Sequence, residues 1–300
     1  MAKFLVSGLV NVETSARVRG FPIPYYPIDY PFFGVGLGVS GVGFNVAKGL
    51  TVLGNHVALK SLIGRDAAGR LVREAVASAG IGADGLQEKL RATPLSVVLH
   101  DEMGRRQVYC DLKDAQEGDC AYEPAEVAAS DWVVACNIGF SRPLLRLAKE
   151  LGRPVATDVH VLSDPDDAYN RDFMAAADVL CLSDEGVGGD PRAFVAELDA
   201  RWKNRIIVMG RGAKGALMHL RDGRGFVERP AFDVGGTTNT VGAGDALFAA
   251  FLDGLASGAD PVVALDRAQL FAGMKIRTFG GGEGFPDAAA LAEECRRWGL

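Results

Sequence analysis

The stretch Asn239-Thr240-Val241-Gly242-Ala243-Gly244-Asp245-Ala246-Leu247-Phe248-Ala249-Ala250-Phe251-Leu252-Asp253-Gly254-Leu255 decides how this chain is read. A Gly-Ala-Gly-Asp turn stands directly before an apolar run with helical spacing, which places Asp245 at the mouth of a buried helix. A helix N-terminus has backbone N–H groups without partners and a partial positive charge. Glycines at that point let the backbone come close to a ligand, so the turn suits an anion such as a phosphate. The carboxylate of Asp245 has three open roles there: helix cap, metal ligand, or proton acceptor beside the bound phosphate. A cap alone would be served equally well by Ser or Asn and would not require glycines before it.

Outward from this turn, strand-like and helix-like segments alternate. KFLVSGLV, HVALKSLIG, DWVVACNI, RPVATDVHV, ADVLCLS and RIIVMGR read as short apolar strands. Helical patterns cover Phe44 to Leu53, AAGRLVREAVASAG, SRPLLRLAKELG, PRAFVAELDARW and PDAAALAEECRRWG. Such repetition predicts an α/β fold with a mostly parallel central sheet and helices on both faces. No Gly-, Ser- or Pro-rich linker divides the 300 residues, so one domain spanning 1–300 is expected. The segment from Val12 to Gly41 departs from this pattern with four prolines and six aromatics, which excludes a central strand or a long helix across it. SVVLHDE and RRQVYCDL flank Met103-Gly104 as a hairpin. Together the two regions, about 12–40 and 93–112, predict a small β-lid.

Composition sets limits on function. Apolar residues make up 48% and the formal net charge is −6, with no basic stripe, so no nucleic-acid partner is expected. No run of about 18 apolar residues occurs, so no membrane span is expected either. The N-terminus reads as a first strand rather than a secretory signal. Five scattered cysteines without a CxxC pair fit unpaired thiols in a reducing cytoplasm. The four histidines show no metal-binding spacing.

The Gly242–Asp245 turn resembles the C-terminal signature of the ribokinase or pfkB-type carbohydrate kinase family, usually written DTTGAGDAF. Further similarity follows along the chain. Ser40-Gly41-Val42-Gly43-Phe44-Asn45-Val46-Ala47 with Leu53-Gly54 resembles the family's GGxGxNxA…LG element. Ile63-Gly64-Arg65-Asp66 with Gly69 resembles VGxDxxG. Gly212-Ala213-Lys214-Gly215 resembles the turn that lines the nucleotide site, and Ala268 to Gly281 the stretch beside the adenine. The resemblance implies a ribokinase-like three-layer fold and transfer of the γ-phosphoryl of ATP to a primary hydroxyl of a sugar, with a nucleoside as the alternative acceptor. By the same resemblance Asp245 is the base, and Gly242, Ala243 and Gly244 form the anion hole. Asn11, Glu13, Gly41, Gly43 and Asn45 hold the substrate, while Gly212, Gly215, Thr240 and Gln269 hold the nucleotide. Magnesium would be carried largely by the nucleotide phosphates and water. A monovalent cation such as potassium, and a homodimer through the lid, are compatible with the family.

Four positions depart from the family pattern: Glu13 for a shorter Asp, Ser40 for Gly, Asn239 for Asp, and Ser183-Asp184-Glu185-Gly186 for NxxE. The last two raise a second alternative, a sensor that binds substrate with weakened catalysis, in which Asp184 or Glu185 would be the remaining outer contacts for a metal. No residue set for a metal is assigned. Gly36-Leu37-Gly38-Val39-Ser40-Gly41 matches the dinucleotide fingerprint GxGxxG. It lies about thirty residues past the first strand, where a true fingerprint would follow it at once, so NAD binding is set aside. Arg105-Arg106 reads as a solvated hairpin tip and His160 as a loop or packing residue. Tyr25, Tyr26, Tyr30, Phe32 and Phe33 could stack on a ligand or only pack.

Overall fold

The computed structural model describes residues 1–236, 240–278 and 280–300. The departure at Asn239 therefore lies outside the described residues.

The strands in chain order are β1 (Lys3–Ser7), β2 (Asn11–Arg17), β3 (Val35–Ser40), β4 (His56–Gly64), β5 (Leu86–Leu90), β6 (Leu95–His100), β7 (Arg106–Asp111), β8 (Trp132–Ala135), β9 (Val155–Val161), β10 (Val179–Ser183), β11 (Ile206–Gly210), β12 (Ala216–Leu220) and β13 (Gly225–Arg229). The helices are α1 (Val42–Val52), α2 (Ala67–Ser78), α3 (Pro124–Ala129), α4 (Arg142–Glu150), α5 (Arg171–Ala176), α6 (Pro191–Trp202), α7 (Ala243–Ala256), α8 (Pro261–Lys275) and α9 (Ala288–Trp298).

Among the described residues, nine strands form one sheet in the order β13-β12-β11-β10-β9-β8-β1-β4-β5. Pairing is parallel from β11 to β5, and β12 and β13 continue the sheet antiparallel. The inner strands β1, β8, β10 and β11 are apolar on both faces because both faces are covered. Along β1, Phe4 and Val6 enter the core shared with α1, α2, α7, α8 and α9, while Leu5 enters the core shared with α3 to α6. Val208 of β11 and its neighbours Ile207 and Met209 divide in the same way. The helix predicted after the Gly-Ala-Gly-Asp turn is α7, and Phe248, Phe251 and Leu252 on it are fully buried. Each such side chain contributes about 1.5–3 kcal/mol of transfer free energy.

The segment from Val12 to Gly41 requires a correction. Its first part lies in β2, an inner strand of a second sheet ordered β3-β2-β6-β7. The four prolines all fall between β2 and β3, so both strands keep the N–H groups that pairing needs. The hairpin β6–β7 forms as its sequence predicts, and β6 runs parallel to β2. Register places Glu13, Gly38, Ser96 and Cys110 on one face of this sheet and Thr14, Leu37, Val97 and Tyr109 on the other. The dinucleotide-like glycines Gly36 and Gly38 lie within β3, an edge strand, and not between β1 and a helix.

Candidate active site

The site forms where the C-terminal end of β1 meets the N-termini of α1 and α7. After β1 the chain passes through Gly8 into β2. Gly8 is pressed against Gly43 of α1, where an added Cβ on Gly43 would lie 2.5 Å from the Gly8 carbonyl carbon. Gly43 N donates to Leu9 O at 3.0 Å. The glycine at position 43 therefore brings α1 against the β1–β2 link. Gly41, which caps α1 with a positive φ, packs against Leu9 O and the Asn11 side chain.

This packing places Asn45, one turn into α1, beside Asp245. The Asn45 Nδ2 donates to Asp245 Oδ2 at 2.7 Å, and its second contact, to Ser40 Oγ, is 3.4 Å. Asp245 is not the cap of α7. Gly242 is the cap, in the left-handed region at φ 77°, and Asp245 follows in the first turn with its carboxylate turned to Asn45. Asp245 is buried while its neighbour Gly244 is exposed, with nothing within 4 Å of where a Cβ would point. The open end of α7 and a shielded carboxylate thus meet at one place. Burial raises the Asp245 pKa above the usual carboxylate range. The charge of His160, the Asn45 hydrogen bond and Lys275 oppose that rise, and Asp158 adds to it. Such a carboxylate is a better proton acceptor than an exposed one.

The second sheet closes one side of this place. Asn11 Nδ2 donates to Ser96 Oγ at 2.6 Å, and Glu13 Oε1 accepts from Gly281 N at 3.1 Å. Glu13 thereby joins β2 to the loop after α8. Asn11 Oδ1 and Asn45 Oδ1 are buried acceptors with no partner among the described residues. Buried polar groups normally have partners, so these two are suited to hydroxyl donors of a ligand. A cleft of about 90 Å³ lined by Glu13, Ser15, Gly36 to Val39 and Gly280 to Glu283 lies beside Glu13 and does not reach Asp245.

The profile of the pfkB family carbohydrate kinases matches residues 1–288. The chain belongs to this family. It is 28% identical over 242 residues to a fructokinase from Klebsiella pneumoniae, covering 73% of this chain and 77% of that protein. It is also 28% identical over 260 residues to an ATP-dependent ribose-1-phosphate kinase from Halopiger xanaduensis, covering 84% of each. Among solved structures, a microbiome-derived acarbose kinase superposes with a TM-score of 0.83 at 27% identity, covering 97% of this chain and 98% of that one. The protein is a carbohydrate kinase with the ribokinase fold.

Within the kinase the remaining predicted residues separate. Gly212 is exposed in a short turn after β11 with open space around it, as a nucleotide-facing residue would be. Gly215 is buried, and an added Cβ would lie 2.0 Å from Arg229 O, so its place is set by packing against β13. Gln269 is buried in α8 with Nε2 unpartnered among the described residues. Asp66, in the VGxDxxG element, caps α2 through Gly69 N and binds Thr93 N and Oγ1 at 2.8 and 2.7 Å. That motif ties α2 to the start of the second sheet.

Arg106 is exposed, as the sequence led one to expect, but it has partners that the sequence did not show. From β7 it donates to Thr240 Oγ1 at 2.6 Å and pairs with Glu185 at 3.4 Å, so it joins the second sheet to the residue before Val241 and to the turn after β10. A basic pair beside Gly104 was the available signal. His160 stands at φ 58°, an uncommon conformation for a residue with a side chain, and its N donates to Asp158 Oδ1 at 2.8 Å. Among the described residues no group of three or more His, Cys, Asp or Glu could hold a metal ion.

Proposed function

We propose that this carbohydrate kinase transfers the γ-phosphoryl of ATP to a primary hydroxyl of a sugar, with Asp245 as the base. The observation that carries this reading is the buried Asp245 carboxylate, held by Asn45 beside the open N-terminus of α7. The sugar hydroxyls would meet Glu13, Asn11 and Asn45, with Gly41 and Gly43 setting the backbone beneath them. The acceptor hydroxyl would give its proton to Asp245. The N–H groups at Gly242 and Gly244 would receive the charge that develops on the transferred group, and that of Ala243 would join them on leaving Thr240 O, to which it donates at 3.2 Å. Thr240, Gly212 and Gln269 would line the nucleotide, with Gly215 setting the turn behind Gly212 and Arg106 reaching the phosphates from the second sheet, which acts as a lid. Magnesium supplies charge neutralisation to the phosphates when bound. The side chains near Thr240 fit an outer contact through water: Glu185 shares Arg106 with Thr240, and Asp184 is adjacent.

The fructokinase and ribose-1-phosphate kinase relatives support a furanose-sized acceptor, free or phosphorylated. The outer face of the second sheet exposes Val35, Leu37, Val97 and Tyr109, a contiguous apolar surface that a second copy of the chain would cover. All five cysteines are free thiols, which supports a cytoplasmic location.

ADP release with Mg-ATP across pentoses, hexoses, their phosphates and nucleosides tests the reading, with Asp245→Asn measured beside the wild type. Turnover on one sugar class that falls about 10²–10⁴-fold in the variant is expected. Full turnover in Asp245→Asn would remove Asp245 from the mechanism. Preference for a nucleoside would replace the sugar assignment.

A further inference from the structure

Lys275, the last residue of α8, is a lysine with no exposed surface. Lysine is rarely so buried unless paired, and among the described residues no carboxylate lies within salt-bridge distance of it. Its Nζ instead donates to two main-chain carbonyls, Val241 O and, at 2.9 Å, Gly280 O. The Phe285 ring lies 5.9 Å from it on another side. Neutral carbonyl oxygens around a buried positive charge, with an aromatic face nearby, are the donor set of a monovalent cation.

The position matters as much as the ligands. Val241 and Gly242 are the two residues before α7, and a Cβ added to Gly242 would lie 3.0 Å from the Lys275 Nζ and 2.5 Å from Gly281 O. The ammonium therefore sits directly behind the turn whose N–H groups face the phosphate. One tether fixes two loops, 240–242 and 280–281, and the second of these also binds Glu13. The family resemblance allows a potassium ion, but the residues present do not fit one here, because the carbonyls that would ligate it are taken by Lys275.

We infer that the Lys275 ammonium is a tethered monovalent cation that positions the phosphate turn, so that this kinase works without potassium. The inference rests on Gly242–Asp245 being the phosphoryl-transfer turn. Lys275 is a positioning residue and does not touch the reacting atoms. Its charge is held by the C-terminal end of α8 and by the acids that face it, Asp245, Glu13 and Glu283, with Lys48 opposing. Burial lowers its pKa to about 8, so the tether is charged at neutral pH and lost in mild alkali.

The test begins with wild-type turnover in tetramethylammonium buffer, with and without added potassium, where no stimulation is expected. In Lys275→Met turnover should fall about tenfold or more, and potassium, ammonium or methylammonium should restore part of it. The same ions should raise the melting temperature of the variant and leave that of the wild type unchanged. The alkaline limb of the wild-type pH profile, near 8, should be absent from the rescued variant. Strong potassium stimulation of the wild type would overturn the inference even if the variant failed to fold. So would unimpaired turnover in Lys275→Met, or a loss that none of the three ions repairs. Unimpaired turnover in Asp245→Asn would instead bring down the turn assignment on which the inference stands.

Discussion

Replacing Asn45 with alanine removes the one side chain that, among the described residues, donates to the Asp245 carboxylate, at 2.7 Å. The carboxylate is buried, so the lost donor is not simply replaced by water. A hydrogen bond to a charged group contributes about 1.5–3 kcal/mol. Since 1.36 kcal/mol is one tenfold step in a protonation equilibrium, the charged form of Asp245 loses roughly 10–150-fold against the neutral form. The sign follows from the state that Asn45 stabilises. Its donor favours the ionised carboxylate, so its removal adds to the rise that burial already causes. The acidic limb of kcat/KM should therefore move to higher pH, narrowing the profile against the alkaline limb near 8 and depressing turnover near neutrality. The assay is coupled ADP release from pH 5.5 to 9 on the best acceptor sugar, for wild type and Asn45→Ala. An acidic limb that stays in place in a folded variant would refute the argument and leave Asn45 as a contact to the substrate alone.

Two further outcomes follow from the same geometry. Gly43→Ala places a Cβ 2.5 Å from the Gly8 carbonyl carbon, so overpacking should cost about 1–3 kcal/mol in urea or thermal unfolding; wild-type stability would show that α1 can shift. Arg106→Ala should raise KM for ATP or lower kcat about tenfold through the lost charge-assisted bonds, with stability within about 0.5 kcal/mol of wild type. Unchanged kinetics would return Arg106 to the role of a surface residue.

The alternation of strands and helices was legible because the inner strands are short apolar runs and most helices are apolar on one face, and these patterns are written locally. The Gly-Ala-Gly-Asp turn was legible for a similar reason. Glycine, small residue and acid in that order, before an apolar helix, carry their chemistry in adjacent residues. The strands β2 and β3 were harder to see because the prolines between them dominate the composition of the whole segment, while each strand is judged only by its own N–H groups.

Relations across the chain needed the tertiary structure. Asn45 and Asp245 are 200 residues apart, and only the contact of Gly43 with Gly8 brings α1 close enough for the hydrogen bond. Arg106 is exposed, but its partners, Thr240 and Glu185, come from two other parts of the fold, so its neighbours in sequence do not show them. Lys275 looked like an ordinary basic residue in the last turn of a helix. Its full burial among carbonyls from two loops is a property of packing, and a residue's charge says nothing of the atoms that surround it. The sequence determined the family and the layers, and it singled out Asp245 as the candidate acid. The fold decided which distant side chains hold that acid, reach the phosphate turn from the second sheet, and carry the charge behind it, because desolvation and hydrogen bonding depend on neighbours in space.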